Sequence, residues 1–277
     1  MFHNAGKTIF VSGNNVKEMI DRETLEAFRS DIKKYLKPFL SVQYKEDIYV
    51  LRNIIHAEKV VENILMLADS LEVSQRERNT AEVIAQFHDI GRFWILHQDQ
   101  TEKEKYDHAQ ASVQYLMTNK TFNSLDDSVK NNIAEIIRNH HLPEISGKEN
   151  SITDFYLRLL RDADKLDLWR VTIDSLINNK KRSLLATELG LNDKAMVTES
   201  ICRKILEGGV VNKNEIGTFN DYLLYQMSWV FDINFRKSYQ ILIQKQYMRH
   251  YYEALPKNDL VFEIYRKIKI HIENQVI

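Results

Sequence analysis

Residues 47–71 read DIYVLRNIIHAEKVVENILMLADSL, an unbroken run without glycine or proline. Side chains three and four positions apart share one face of a helix. On that spacing His56, Val60, Ile64, Leu67 and Leu71 fall on a single stripe. The segment therefore reads as one long helix that carries an imidazole on its apolar face. The whole chain points the same way. With 8 glycines and 3 prolines among 277 residues, the main helix breakers are scarce, and Leu, Ile, Glu and Lys are abundant.

The pattern recurs along the chain. A helix from about Arg76 to Asp89, stopping at Gly91, puts Ala81, Ile84, Ala85 and His88 on one stripe. A helix over 102–119 aligns His108 with Ser112, Val113 and Leu116. One over 126–141 aligns His140 with Ile133, Ile136 and Ile137, with Asp126 and Asp127 suited to its start and Pro143 to its end. A long one over 151–182 aligns Asp164 with Leu157, Leu160, Leu168 and Val171. Asp162 lies on its own apolar stripe with Phe155, Leu159 and Leu166, so spacing does not choose between the two aspartates. A further helix is expected over 21–40, turns around Gly190, Gly208–Gly209 and Gly217, and two helices after Phe219, divided near Pro256. Residues 1–15 read as irregular, weakly extended at Thr8–Val11, and Gly6-Lys7-Thr8 lacks the upstream glycine of a phosphate loop.

Composition excludes several function classes. Net charge is -1, so no basic excess points to nucleic acid or an anionic membrane. The lone Cys202 allows no intrachain disulfide and no cysteine zinc site. The N-terminus lacks the pattern of a signal peptide, and no apolar run approaches the length of a membrane span. The expectation is a cytoplasmic protein with no membrane and no specific nucleic-acid partner; assembly into a homo-oligomer stays open.

Five expected helices thus aim a His or Asp inward, and Asp89 adds a carboxylate beside His88. Buried carboxylates and imidazoles need partners. Each residue alone is most simply a satisfied core polar group. A shared cation would satisfy the whole set, since imidazole nitrogen and carboxylate oxygen suit zinc, iron and manganese.

Five stretches, in this order, carry a resemblance: His56-Ala-Glu-Lys-Val60, Phe87-His-Asp-Ile-Gly-Arg92, Asp107-His-Ala-Gln110, Ile136-Ile-Arg-Asn-His-His141 and Arg161-Asp-Ala-Asp-Lys-Leu-Asp167. Together they resemble the HD superfamily of metal-dependent phosphohydrolases over roughly 46–172. The resemblance implies an all-α HD-domain helical bundle with a C-terminal helical extension. It divides the chain into an N-terminal segment and helix (1–45), the HD domain (46–172) and a helical extension packed on it (173–277). It implies a metal site of His56, His88, Asp89 and Asp164. His108, His140 and His141 would complete a second site bridged by Asp89, or contact substrate phosphate instead. One or two divalent ions are expected, among manganese, iron, magnesium, cobalt, nickel and zinc. The implied reaction is hydrolysis of a phosphoester or phosphoanhydride, in a nucleotide or another small phosphorylated molecule, by a metal-activated water. Lys59 and Arg92 are expected to act on the phosphate in binding and catalysis, with Lys165 as a further phosphate contact. Asp167 is expected to orient a ligand or a substrate hydroxyl.

Two departures narrow the reading. His141 is followed by Leu-Pro-Glu-Ile-Ser-Gly, where the cyclic-dinucleotide branch has Gly-Tyr-Pro, and Arg52 occupies the position of a third-metal carboxylate. An HD-type di-iron oxygenase and a non-catalytic metal-binding HD module stand as alternatives. His3, His97, His250 and His271, and the aromatic tract from Tyr222 to Phe235, read as surface or packing residues.

Overall fold

Short polar side chains set the helix starts in the computed structural model, which describes residues 19–40, 47–96, 107–143, 151–177, 179–192 and 196–277. Asp21 opens α1 (Arg22–Leu36) by accepting from the Thr24 amide, and Asp47 opens α2 (Ile48–Ser70) by accepting from Tyr49 and Val50. Ser74 and Glu77 form a reciprocal capping box on α3 (Gln75–Phe87). A short α4 (Gly91–Leu96) follows, then α5 (His108–Thr118), α6 (Lys120–Asn123), α7 (Asp127–Asn139) and α8 (Ile152–Leu176). The remainder comprises α9 (Asn179–Glu188), α10 (Glu199–Leu206), α11 (Phe219–Ser228), α12 (Arg236–Gln244), α13 (Tyr247–Ala254) and α14 (Asp259–Asn274). The described residues form no strand beyond one isolated bridge, Asn192 to Thr218. The fold is all-α. No described helix is long and apolar enough to cross a membrane.

The chain divides into two compact units, the boundary falling inside α8 between Asp164 and Lys165. In the first, α2 packs on α3, α4 on α5, and α5 on α7. Val60, Ile64 and Leu67 of α2 are wholly buried, as their stripe requires. Each such side chain contributes roughly 1.5–3 kcal/mol by leaving water. Two hydrogen bonds fix α8 against these helices: Asn63 Nδ2 donates to the Ala163 carbonyl at 3.0 Å, and the buried Tyr156 Oη to the Glu77 carbonyl at 3.2 Å. In the second unit, Trp169 Nε1 donates to the Gln226 carbonyl at 3.0 Å, and α14 packs on α10, α12 and α13.

Several elements differ from the sequence reading. The segment expected as one helix over 151–182 is two, with α8 ending at Leu176 and α9 starting at Asn179. The turn-rich stretch 183–220 holds the end of α9 and all of α10, and four helices rather than two follow Phe219. The α12–α13 break carries no glycine or proline. Gln246 makes it by adopting a left-handed backbone, φ 53°, and Glu72 does the same after α2, φ 54°. These are the positions where glycine is usual. The first five residues of the expected 102–119 helix lie outside the described residues, as do Thr8–Val11 and Gly6-Lys7-Thr8.

Glu72→Gly should therefore stabilise the protein by about 1 kcal/mol, since glycine takes the left-handed conformation without steric cost. Urea unfolding measures this directly; an unchanged or lower midpoint contradicts it.

Candidate metal centre

Five structural segments meet around one carboxylate, Asp89. His56 lies mid-way along α2, and Asp164 projects from α8. His88 and Asp89 occupy the turn after α3, His108 is the first residue of α5, and His140 and His141 follow α7 directly. Asp89 Oδ2 lies 3.6 Å from both His56 Nε2 and His88 Nε2. Its other oxygen, Oδ1, lies 3.4 Å from His108 Nε2 and 3.7 Å from His140 Nε2. Asp164 Oδ1 is 3.2 Å from His56 Nε2. Two ligand trios without a shared member follow, His56–His88–Asp164 and His108–His140–His141, and a third, His88–Asp89–His140, spans them; in each the ligand atoms lie within 4.8 Å of one another. Asp89 presents one oxygen towards each of the first two.

This arrangement, His56, then His88–Asp89, then Asp164, lies within residues 53–169, which match the sequence profile of the HD domain. The chain contains an HD domain. No curated protein and no solved structure matches the chain. HD domains make up a superfamily of metal-dependent hydrolases, and the His/Asp cluster of this HD domain fits a metal site.

The fit rests on unmet bonding capacity. His88 Nε2, His108 Nε2 and Asp89 Oδ1 are buried without a hydrogen-bond partner. Such atoms are costly unless something accepts their lone pairs. The rings are set for it. His88 Nδ1 donates to the Ala85 carbonyl at 2.8 Å and His140 Nδ1 to the Ile137 carbonyl at 2.6 Å, which leaves Nε2 as the lone-pair nitrogen in both.

Electrostatics favour the same state. Burial pushes His108 down to about 4, and burial with the neighbouring His88 pushes His140 down to about 3. Both rings are neutral near pH 7. Burial alone would raise the Asp89 carboxyl, but Arg92, His88, His108 and His140 outweigh it and hold Asp89 well below the usual range. For Asp164 burial also raises, and the hydrogen bond and charge of His56 bring it down to about 2. Asp162 is wholly buried and belongs to neither trio.

The expected phosphate contacts are placed differently from one another. Arg92 Nε donates to Asp89 Oδ2 at 2.5 Å, with its side chain one-third exposed. Lys59 Nζ is paired with Glu62 at 2.7 Å. Lys165 Nζ is paired with Asp232 at 2.5 Å, and Asp167 accepts from Arg170 Nε at 2.6 Å. Phe93 is buried and packs its ring on Phe39, 5.1 Å between centroids.

Three supporting residues stand in the motifs quoted above, two of them without a role there and Gly91 with a different one. Gly91 does not terminate α3, which ends at Phe87; it begins α4. A Cβ there would lie 2.3 Å from the His108 carbonyl oxygen and 2.4 Å from the Ser112 nitrogen. The glycine lets α4 touch the first turn of α5, where its own amide donates to Ser112 Oγ at 2.9 Å. Arg161 is buried on α8, one turn before Asp164, and Asp107 caps α5. An arginine on the stripe of Leu157 and Leu160, and an aspartate just before a helix, were the available signals.

Gly91→Ala should displace α5 and with it His108. Metal analysis of the folded variant should then show fewer bound ions than wild type; equal content contradicts the close-contact account. A second expectation concerns pH. In the unfolded chain His140 gains its proton near 6.5, but in the fold only near 3. Between those values the unfolded state binds the extra proton, so stability falls as pH drops. Chelated protein should lose roughly 2 kcal/mol at pH 5 from His140 alone, read as a lower urea midpoint than at pH 7.5. The loss should shrink in His140→Gln; a midpoint independent of pH speaks against it.

Proposed function

We propose that this HD domain hydrolyses a phosphoester or phosphoanhydride in a nucleotide or other small phosphorylated molecule, using two divalent ions. The observation that carries the reading is the division of Asp89, whose two oxygens face two separate sets of ligands. A carboxylate so placed suits two adjacent cations better than one. His56, His88 and Asp164 would hold the first ion and His108, His140 and His141 the second, with Asp89 shared. A donor set this rich in imidazole favours manganese, iron, cobalt, nickel or zinc over magnesium. Ions held there lower the pKa of bound water towards neutrality and neutralise charge on phosphate oxygens.

The chain's own residues supply the rest. The ring hydrogen bonds of His88 and His140 keep the ligand nitrogens aimed at Asp89. Arg92 is anchored through Nε, and the other edge of its guanidinium is the group best placed to meet a phosphate. Lys59 on α2 is a weaker candidate because Glu62 already neutralises it. Lys165 and Asp167 retain their proposed substrate roles only if substrate binding draws them from Asp232 and Arg170.

Purified protein should release phosphate from one class of nucleotides or small phosphoesters when supplied with manganese, cobalt, nickel, iron or zinc. Asp89→Ala should lower that activity at least a thousandfold, and Arg92→Ala should lower it about ten- to a hundredfold. Activity that survives Asp89→Ala would sink the mechanism. Iron-dependent oxygen consumption without phosphate release would replace hydrolysis with oxygenase chemistry.

A further inference from the structure

Neither Arg161 nor Asp107 belongs to a ligand trio, yet each touches the backbone or side chain that presents one. Arg161 is 5 % exposed on α8. Its Nη1 donates to the carbonyl of His140 at 3.2 Å and to the carbonyl of Leu142, the residues on either side of His141. These are carbonyls just past the end of α7, where helix hydrogen bonds run out and the helix dipole is negative. A buried guanidinium there fixes the path of the chain through both histidines.

Asp107 acts from the opposite side. Its Oδ1 accepts from the amides of Ala109 at 2.7 Å and Gln110 at 3.2 Å, which sets the first turn of α5 and so the position of His108. Its Oδ2 lies 3.2 Å from His141 Nε2. One carboxylate therefore ties together two ligands from different segments, the start of α5 and the turn after α7. His141 is the most exposed of the three histidines, with about 31 % of its side chain open, and so has the most freedom to lose.

We infer that Arg161 and Asp107 are positioning residues for the His108–His140–His141 trio, and that the second ion, unlike the first, depends on them. The inference rests on the two-ion reading above. Both residues act on the chain through His140 and His141 or on the first turn of α5, so their loss should fall on the second ion. Partners of metal ligands typically contribute ten- to a hundredfold to affinity.

Two conservative variants test this. Asp107→Ser keeps a side chain able to cap α5 but withdraws the carboxylate from His141. Arg161→Lys keeps the charge but sets it on a shorter side chain, without the guanidinium Nη1 that reaches both carbonyls. Manganese titration of chelator-treated, full-length protein gives the number and affinity of bound ions, and electron paramagnetic resonance distinguishes a coupled pair from single ions. Wild type should bind two manganese ions and show the coupled signal. Each variant should keep one ion at wild-type affinity, bind the second at least tenfold more weakly, and lose the coupled signal at one equivalent of excess. Two ions bound at unchanged affinity in the folded variants overturn the inference while leaving the two-ion reading intact. A single ion in wild type overturns that reading and the inference with it. Should Arg161→Lys not fold, Asp107→Ser decides alone.

Discussion

A carboxylate withdrawn from water stays ionised only where cations or donors surround it. Asp89 is 4 % exposed, and almost everything around it serves that condition. Arg92 contacts one oxygen from its own turn, and four histidines from four different segments converge on the two oxygens. The ends of α3, α5 and α7 point at one spot, which His56 and Asp164 reach from the middle of α2 and α8. Removing that charge would leave several buried imidazoles facing one another with nothing between them.

The burden is shared unequally between the two sides. His56 and Asp164 stand on long helices whose inward stripes, Val60 and Ile64 on α2 and Leu157 and Leu160 on α8, are buried, and Asn63 joins those helices directly. That side is held by packing. The other side is built from the first residue of α5 and the two residues that follow α7, positions with less regular backbone. It is held by polar contacts: Gly91 against Ser112, Asp107 against His141, and Arg161 against the carbonyls past α7. Polar contacts at helix ends, two of them charge-assisted, do there what apolar burial does elsewhere.

The sequence disclosed these features unevenly, for physical reasons. Long helices such as α2 and α8 announce themselves through period and composition, and His56 and Asp164 come with them because both sit mid-helix. His88 and His140 were reached by the same spacing, because each lies only one residue past its helix end and still continues the stripe; Asp89 and His141, one residue further on, were legible only through the order of the motifs along the chain. Spacing did not separate Asp164 from Asp162, since both occupy apolar stripes; the resemblance chose Asp164, and it is Asp164 that lies with His56 and His88. Helix breaks in the C-terminal half were missed where a non-glycine residue, Gln246, takes the left-handed turn. Gly91 was misjudged for the converse reason: it is required by contact with another helix rather than by its own backbone angle.

The ring hydrogen bonds of His88 and His140 have a kinetic consequence. Both imidazoles are already in the tautomer that offers Nε2, and neither needs to turn. An arriving cation finds little protein motion to wait for, so the slow event is the shedding of its own hydration shell. Loading speed should then follow the ions' intrinsic water-exchange rates, with nickel slowest, even where the order of final affinity is different.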